Sequence, residues 1–337
     1  MKAALLTEPE IIVFREICAP PLKADEVRVR PLLAGICGTD ISIYMGHRPV
    51  EYPFVLGHEI IGVVTEAGIE VAKVKVGDRV IVEPNYPCGV CAICRQGRGA
   101  VCPHKLAMGV NCPGCFSEST VAPAEFVWAI PDAVSDRDAV TIEPLAVSLH
   151  GLFRSGAKPG DTVAVLGCGV VGLLLIHAAV NMGLRVIAHD RFSVKLDMAG
   201  SLGAEIFTEK EDVTAFWERN NVTTVFECAG VSGTVELAFR AAPRGADIVM
   251  LGLSPFPAQF VPVKIVREGI NIFTSMIYDH PADFARTLAL VASERLMPSR
   301  IVTDVYPVSD LSKAMKRAAS GTAGKVLVMI ADGWNNE

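Results

Sequence analysis

The 337-residue sequence predicts an α/β protein of two domains, in which a doubly wound parallel sheet is inserted into a mostly β domain. At about 150 residues per domain this length suits two domains, and 51% hydrophobic residues allow each to bury a core. Up to about Val140, short apolar or alternating runs lie between glycine, proline and aspartate turns. Beyond Gly160, apolar β-type runs alternate with helix-like segments, which indicates parallel strands with crossover helices.

The strand candidates can be placed along the chain. In the first region they are 27–30, 60–65 and 79–83. In the second they are 162–166, 185–190, 222–228, 246–252 and 270–274, with a weaker run at 205–208. Six strands complete a doubly wound dinucleotide-binding sheet by about residue 275.

The remaining segment, 281–337, offers two helices and a strand. We expect helices at 282–293 and 311–319, the second started by Ser309 or Asp310, and a final strand at 325–330. Since six strands already complete the sheet of the second domain, we expect this last segment to belong to the first domain. The predicted domains are therefore 1–150 with 281–337, and 151–280.

Composition and charge exclude several classes of function. Against 31 basic residues the chain has 37 acidic ones, so its formal net charge of -6 does not suit nucleic acid or an anionic membrane as a partner. Glu8 and Glu10 interrupt the apolar stretch that a secretory signal needs. The apolar segment 170–184 contains His177 and Asn181 and is shorter than the roughly 20 residues that span a bilayer, so we expect a buried helix. These features favour a cytoplasmic protein.

The most specific local motif is a group of four cysteines. Ten cysteines in a chain without an export signal favour metal or catalytic use over disulfides. Cys88, Cys91, Cys94 and Cys102 are separated by gaps of two, two and seven residues. Four thiolates fill the coordination of one zinc ion, so the predicted site is structural. The alternative without a metal is that four ordinary buried cysteines are clustered by chance. A zinc ribbon that binds nucleic acid is disfavoured by the cysteine spacing and by the excess of acidic residues.

A phosphate-binding turn follows the strand at 162–166. Gly167 permits a tight turn, Gly169 lets the backbone approach a pyrophosphate, and Gly172 lets helix and strand pack closely. The N-terminus of the following helix adds free amides and a positive dipole. A merely structural glycine turn is the alternative. The expected cofactor contacts are Gly167, Gly169, Val170, Val171 and Gly172.

The residues after the next strand indicate which dinucleotide binds. Asp190 stands 23 residues after Gly167, where a carboxylate bonds the adenosine ribose hydroxyls and repels a 2′-phosphate. NAD is therefore expected over NADP. The adjacent Arg191 is the feature that opposes this choice, and Lys195 is a further candidate contact.

A third group of residues suits a catalytic metal. Cys37, His58 and a carboxylate from Glu59 or Glu143 would give zinc three protein ligands and leave one position for water or a substrate oxygen. Taken singly, Cys37 and His58 would more often be ordinary buried residues. Their occurrence together favours the metal site.

Together these motifs make the chain resemble the zinc-containing medium-chain dehydrogenases of the alcohol and sorbitol dehydrogenase superfamily. The resemblance covers nearly the whole length. The motifs that carry it are Gly35-Ile-Cys37-Gly-Thr39-Asp40, Gly57-His58-Glu59, the four cysteines, Ile142-Glu143-Pro144-Leu145, the glycine turn and Gly324-Lys325-Val326. It implies a GroES-like catalytic domain with an inserted Rossmann domain, two zinc ions and NAD per chain, and a homodimer or homotetramer.

The resemblance also implies roles for individual residues. Cys37 and His58 would ligate the catalytic zinc, with Glu59 as a direct or exchanging ligand. Glu143 replaces the cysteine of simple alcohol dehydrogenases, as in the polyol and sugar branch, and would ligate the metal or hold its water. Thr39 would take the proton of the substrate alcohol.

The sequence departs from the family pattern at three places. Ser42 replaces a histidine that relays the proton to solvent in many relatives. Cys115 replaces a second glycine and forms a Cys-x-x-Cys pair with Cys112, which suits packed or free thiols better than a redox pair or an extra metal site. Met276 stands where several polyol dehydrogenases place an arginine.

The expected reaction is hydride transfer to NAD from a secondary alcohol within a polyol, sugar or sugar-acid derivative, giving the ketone. A simple secondary alcohol is the alternative substrate. A zinc-independent quinone reductase would lack Cys37, His58 and Glu59, which are all present. A non-catalytic nucleotide-binding or regulatory homologue is permitted by the changes at Ser42 and Cys115 but not favoured by them.

Overall fold

The protein divides into two compact units in the computed structural model, which describes residues 1–208, 212–331 and Trp334. The first unit is Met1–Glu143 with Val302–Glu337, and the second is Pro144–Ile301. Residues 281–301, grouped by sequence with the first domain, are attached to the second unit. There the Met297 amide donates to His177 Nε2 at 3.1 Å, and the Arg300 guanidinium donates to the Ser201 carbonyl at 3.1 Å.

The N-terminal part of the first unit is mostly β. Its strands are β1 (Lys2–Glu8), β2 (Ile11–Glu16), β3 (Glu26–Gly35), β4 (Phe54–Val55), β5 (Glu59–Ala67), β6 (Arg79–Val82), β7 (Asn85–Tyr86), β8 (Leu106–Ala107), β9 (Thr120–Pro123) and β10 (Val127–Ala129). Its helices are α1 (Gly38–Tyr44), α2 (Ala92–Arg95) and α3 (Asp136–Val140), with 3₁₀ turns at Gly99–Val101 and Ala124–Phe126.

The second unit alternates helices and strands. In order these are α4 (Ile142–Arg154), which begins two residues before the unit boundary, β11 (Thr162–Leu166), α5 (Val170–Asn181), β12 (Arg185–His189), α6 (Ser193–Ser201), β13 (Glu205–Ile206), α7 (Val213–Arg219), β14 (Val222–Glu227), α8 (Ser232–Ala241), β15 (Asp247–Met250), α9 (Pro262–Glu268), β16 (Asn271–Thr274), α10 (Ala282–Ala292) and a 3₁₀ turn at Pro298–Ile301.

The chain then returns to the first unit. The returning elements are β17 (Val302–Pro307), a 3₁₀ turn at Val308–Asp310, α11 (Leu311–Ala319) and β18 (Lys325–Met329). Asp310 is the N-cap residue of α11, as one of the two sequence candidates, but its side chain makes no capping hydrogen bond. Its carboxylate instead pairs with Lys313 at 2.8 Å.

The largest sheet of the first unit is built around β3. The strand order is β10-β6-β5-β3-β18-β17, and β9 pairs with the first half of β3. Gly35, at the end of β3, pairs with Glu59 of β5 on one side and with Leu327 of β18 on the other. The chain therefore leaves β3 toward Cys37 beside the point where it enters β5 from His58.

The sheet of the second unit is parallel throughout, in the order β13-β12-β11-β14-β15-β16. This is the doubly wound order in which the first strand lies at the centre. The predicted α/β class, with six parallel strands in one unit and mostly β structure in the other, is confirmed. Every residue of β11 is buried, as expected for a strand covered on both faces.

The apolar segment at 170–184 forms a buried helix, as its sequence predicted. It is α5, whose residues from Gly172 to Ala179 are all buried. Among the described residues, no helix combines the length and the apolar composition needed to cross a bilayer.

Close packing at the start of α5 generates a stability prediction. A Cβ added to Gly172 would lie 1.9 Å from the carbonyl oxygen of Gly167, whereas one added to Gly169 would meet no atom within 4 Å. We expect Gly172→Ala to lower the free energy of unfolding by about 1–3 kcal/mol, because backbone has to shift. Urea unfolding of the cofactor-free protein measures this, with Gly169→Ala as the matched control. Equal stability of the two variants would contradict the packing role.

Candidate active site and metal centres

The four-cysteine loop lies between β7 and β8 and brings its thiols together. Cys102 Sγ lies 3.6 Å from Cys88 Sγ and 3.9 Å from Cys91 Sγ, and Cys88 Sγ lies 3.9 Å from Cys94 Sγ. A disulfide needs about 2.05 Å between sulfurs. Tetrahedral zinc with bonds of about 2.3 Å places its sulfurs about 3.8 Å apart, so these four thiols fit one zinc ion.

The backbone of this loop prepares the sulfurs for a cation. The amides of Cys94 and Cys88 donate to the sulfurs of Cys91 and Cys102 at 3.4 and 3.5 Å. Hydrogen bonds from the backbone of Val90 and Cys91 lower the pKa of Cys88 to about 6, whereas burial and the neighbouring thiols raise the pKa of Cys94 to about 12, so one thiolate forms readily and the next needs a cation beside it. Because the thiolate is the form that binds metal, this loop favours metal binding.

A second cluster lies where β3 ends and β5 begins. One ligand atom each from Cys37, His58 and Glu59 lie within 4.8 Å of one another. Cys37 is half-buried, whereas His58 and Glu59 are buried. Pairing of Gly35 with Glu59 across the sheet brings these residues together although Cys37 and His58 are 21 positions apart in the sequence.

Asp40 holds the two ligand-bearing segments in place. Its Oδ2 accepts the Cys37 amide at 2.9 Å, and its Oδ1 accepts the Gly57 amide at 3.0 Å and lies 3.4 Å from His58 Nδ1. Burial opposes ionisation of this fully buried carboxyl, but His58 and the two amides lower its pKa below the ordinary value. Asp40 was not among the residues expected at this site, although its position three residues after Cys37 is the spacing of a capping box.

The electrostatics of the second cluster suit a bound cation. Burial would lower the pKa of His58, but Asp40 and Cys37 raise it well above the ordinary histidine value. Glu59 Oε1 is buried and has no hydrogen-bond partner among the described residues. A metal ion supplies the positive charge that these groups attract and the partner that the carboxylate oxygen lacks. Zinc, which takes sulfur, nitrogen and oxygen ligands, fits this donor set.

The other predicted residues of this site lie in the first unit, on helix α1 and at the start of α4. Thr39 is half-buried in the first turn of α1, and Ser42 lies on the same helix. Glu143, 8% exposed in the first turn of α4, lies outside the group of ligand atoms that Glu59 joins. Burial lowers the pKa of Lys105, and Glu143 is among the charges that oppose this shift. The structure therefore groups Glu59 with Cys37 and His58, and it places Glu143 where its charge acts on Lys105.

The Cys112–Cys115 segment packs against the histidine-bearing loop. Both thiols are free, and Cys115 is completely buried. A Cβ added to Gly57 would come within 2.9 Å of Cys115 Sγ. Burial raises the pKa of Cys112 to about 11 and also raises that of Cys115, so both thiols lie in surroundings that disfavour the reactive thiolate.

A third group of metal-binding residue types lies in the second unit and was not found from the sequence. It consists of His150, Asp279 and Asp283. His150 Nδ1 lies 2.6 Å from Asp283 Oδ2, and Arg286 pairs with Asp283 Oδ1 at 3.2 Å. The Asp283 carboxylate thus already has an imidazole and a guanidinium as partners. We interpret the group as a contact between α4 and α10 rather than as a metal site.

The glycine turn has the geometry that phosphate binding needs. Gly167 has φ +94°, which favours glycine, and Gly169 caps α5 without a side-chain hydrogen bond. No atom lies within 4 Å of a Cβ built on Gly169, so the backbone there is open to a ligand. Val170 and Val171 form the first turn of α5, whose free amides suit an anion.

Asp190 lies beside this turn. Its Oδ2 accepts the Cys168 amide at 2.7 Å, and its Oδ1 accepts the Phe192 amide at 2.9 Å. Arg191 is exposed, and its guanidinium lies over the Phe192 ring at 4.6 Å. Lys195 is buried, with only 5% of its surface exposed, on α6.

Comparison with known families identifies the class of protein. Residues 23–132 match the alcohol dehydrogenase GroES-like domain, and residues 170–293 match the zinc-binding dehydrogenase domain. Sorbitol dehydrogenase of Bacillus subtilis strain 168 is 31% identical over 334 residues, which cover 94% of this chain and 93% of that protein. The chain belongs to the zinc-type medium-chain dehydrogenase superfamily, in its sugar and polyol branch, as its motifs predicted.

Solved structures agree with this assignment. A structure described as a short chain alcohol dehydrogenase, rspB, from Escherichia coli CFT073 with NADH has a TM-score of 0.90 and 31% identity, and covers 98% of this chain and 99% of its own. A zinc-binding dehydrogenase from Sinorhizobium meliloti 1021 bound to NADP has a TM-score of 0.90 and 32% identity, covering 97% and 98%. This protein is an oxidoreductase of the zinc-type dehydrogenases.

Proposed function

We propose that the protein oxidises a secondary alcohol within a polyol, sugar or sugar-acid derivative to the ketone, with NAD as hydride acceptor and zinc at the second cluster. The observation that carries this proposal is the convergence of Cys37, His58 and Glu59 within 4.8 Å. One thiolate, one imidazole and one carboxylate leave an open position on zinc, which is the arrangement of a catalytic site.

The chemistry divides between the bound groups and the chain. Zinc would supply a Lewis acid that makes the alcohol proton easier to remove, and NAD would accept the hydride. Cys37, His58 and Glu59 would hold the metal, and Asp40 fixes the backbone of Cys37 and of Gly57, which precedes His58, by accepting their amides. Thr39, in the first turn of α1, would accept the alcohol proton.

The structure supports two zinc ions per chain, one at each thiol-containing cluster. We expect Cys37→Ser to lose the catalytic zinc and nearly all turnover but to keep its fold, because strands already form that site. Cys91→Ser should lose the other zinc and destabilise the loop between β7 and β8, which has little structure of its own. Elemental analysis and thermal unfolding measure both effects. Full activity with less than one zinc per chain would contradict the proposal.

NAD is the proposed cofactor because of Asp190. Its carboxylate is anchored by the Cys168 and Phe192 amides beside the glycine turn, where it would bond the ribose hydroxyls and repel a 2′-phosphate. The contact of Arg191 with the Phe192 ring also supports NAD, because it holds the guanidinium that would otherwise be available to a 2′-phosphate.

Removing this carboxylate tests the cofactor preference. We expect Asp190→Ala to reduce the ratio of kcat/KM for NAD to that for NADP by about tenfold or more, which is about 1.4 kcal/mol of discrimination. Asp197→Ala, which removes an exposed carboxylate from the neighbouring helix α6, is the matched control and should leave the ratio unchanged. Equal kcat/KM for both cofactors in the unaltered enzyme would instead assign the dominant role to Arg191.

The proposed substrate class rests on Glu143, which stands where simple alcohol dehydrogenases have a cysteine. Glu143 is a buried carboxylate in the first turn of α4. Such a hydrogen-bond acceptor suits a second hydroxyl group of the substrate. The name of the sorbitol dehydrogenase relative supports a polyol. Met276, 38% exposed, favours the second candidate, a simple secondary alcohol, because it offers no charge to bind hydroxyls.

Matched substrates distinguish these two candidates. We expect kcat/KM to be at least about tenfold higher for a 1,2-diol or longer polyol than for the secondary alkanol of equal length. Steady-state NADH formation over such pairs measures this ratio. A tenfold preference for the alkanol would overturn the polyol class, and two bound zinc ions without turnover of any alcohol would indicate the non-catalytic homologue.

We propose a homodimer or homotetramer in the cytoplasm. The edge strand β16 and the adjacent α9 expose apolar side chains, among them Ile272 and Val266, which are 43% and 81% exposed. A second copy would cover them and pair with the open sheet edge. The ten free cysteines suit a reducing compartment. Sedimentation equilibrium that gives the mass of one chain would contradict the oligomer.

A further inference from the structure

A fully buried lysine lies beside the second cluster. Lys325, the first residue of β18, has 0% of its side chain exposed. Its ammonium forms an ion pair with Glu59 Oε2 and donates to the Ile36 carbonyl at 3.0 Å. Because Ile36 directly precedes Cys37, the ammonium contacts both segments that lead into the cluster.

The sheet leaves room for this ion pair at one position. A Cβ added to Gly35 would lie 1.9 Å from Glu59 Oε2 and 2.7 Å from Lys325 Cε. Gly35 is paired with Glu59 of β5 on one side and with Leu327 of β18 on the other. The missing side chain therefore allows a cation from β18 to reach a carboxylate on β5 across β3.

The same carboxylate also belongs to the metal-ligand group. Glu59 contributes an oxygen within 4.8 Å of the ligand atoms of Cys37 and His58. With only 1% of its side chain exposed, it has no access to water that could screen either neighbour. A bound metal cation and the Lys325 ammonium would therefore draw one buried carboxylate in two directions.

We propose that Lys325 is a positioning residue that competes with the metal for Glu59. The ion pair makes Glu59 an exchangeable ligand, so that the metal binds less tightly and keeps a position open. The proposal rests on the proposed zinc site at Cys37, His58 and Glu59. It assigns Lys325 control over the affinity and the coordination number of that metal.

Zinc release to a chromogenic chelator tests the competition in the full-length protein. In Lys325→Met the Glu59 carboxylate loses its ammonium partner and binds the metal more firmly. We therefore expect the catalytic zinc to be released about tenfold more slowly. This change lies within the range by which groups next to metal ligands alter metal affinity. Lys325→Arg retains the charge and should release zinc nearly as the unaltered protein does. Cys37→Ser identifies which of the two zinc signals belongs to this site.

A second pair of variants separates competition from a merely structural role. In a Glu59→Gln background, Lys325→Met removes both buried charges together, which proteins tolerate better than one unpaired charge. We expect Lys325→Met to alter zinc release less than twofold in this background. With Co²⁺ in place of zinc, Lys325→Met alone should change the visible absorption bands, because these bands respond to the ligands that surround the metal.

The competing results are distinct. Unchanged zinc release and an unchanged Co²⁺ spectrum in Lys325→Met would overturn the competition and leave Lys325 with a structural role only. An equally large effect of Lys325→Met with and without Glu59 would also overturn it, since the lysine would then act by another route. Failure of the unaltered protein to bind metal through Cys37 would overturn the proposed zinc site itself, and this is visible before any lysine variant is made.

Discussion

The pairing of β3 with β5 at Gly35 and Glu59 is the constraint on which the candidate active site depends. It places the exit from one strand beside the entry to the next, so Cys37 and His58 meet without either segment being long or flexible. Asp40 then joins the two segments through one amide from each. A single buried carboxylate thus fixes the backbone on both sides of the site, and the neighbouring His58 favours its charged form.

The two clusters of candidate metal ligands are held together by different interactions. The four cysteines occupy a loop with few regular elements, and their sulfurs already lie at distances that suit a shared zinc ion. Such a loop depends on its metal for order. The cluster of Cys37, His58 and Glu59 instead rests on a sheet and a helix that are held by their own hydrogen bonds. Its geometry can therefore leave a coordination position open without loss of the fold.

Much of the fold was predictable because the local hydrophobic patterns of the sequence match the burial of each element in the tertiary structure. In the second unit the strand at 162–166 was placed as it occurs, and the six parallel strands follow from their apolar runs and the spacing of the helices. The attachment of residues 281–301 was not predictable in this way. It depends on single contacts, such as the Met297 amide with His177, that leave no periodic signal.

For the candidate site, the sequence by itself determined which chemistry the chain carries. Four cysteines at fixed gaps, a glycine turn between strand and helix, and Cys37 with Gly57-His58-Glu59 are local patterns whose residue types restrict the ligands that they can bind. Only the tertiary structure brings Glu59, rather than Glu143, within 4.8 Å of the ligand atoms of Cys37 and His58, and only it places Asp40 and Lys325 against these segments. The reason is that Glu59 and Lys325 are 266 positions apart, and nothing but the pairing of β18, β3 and β5 brings their charges together.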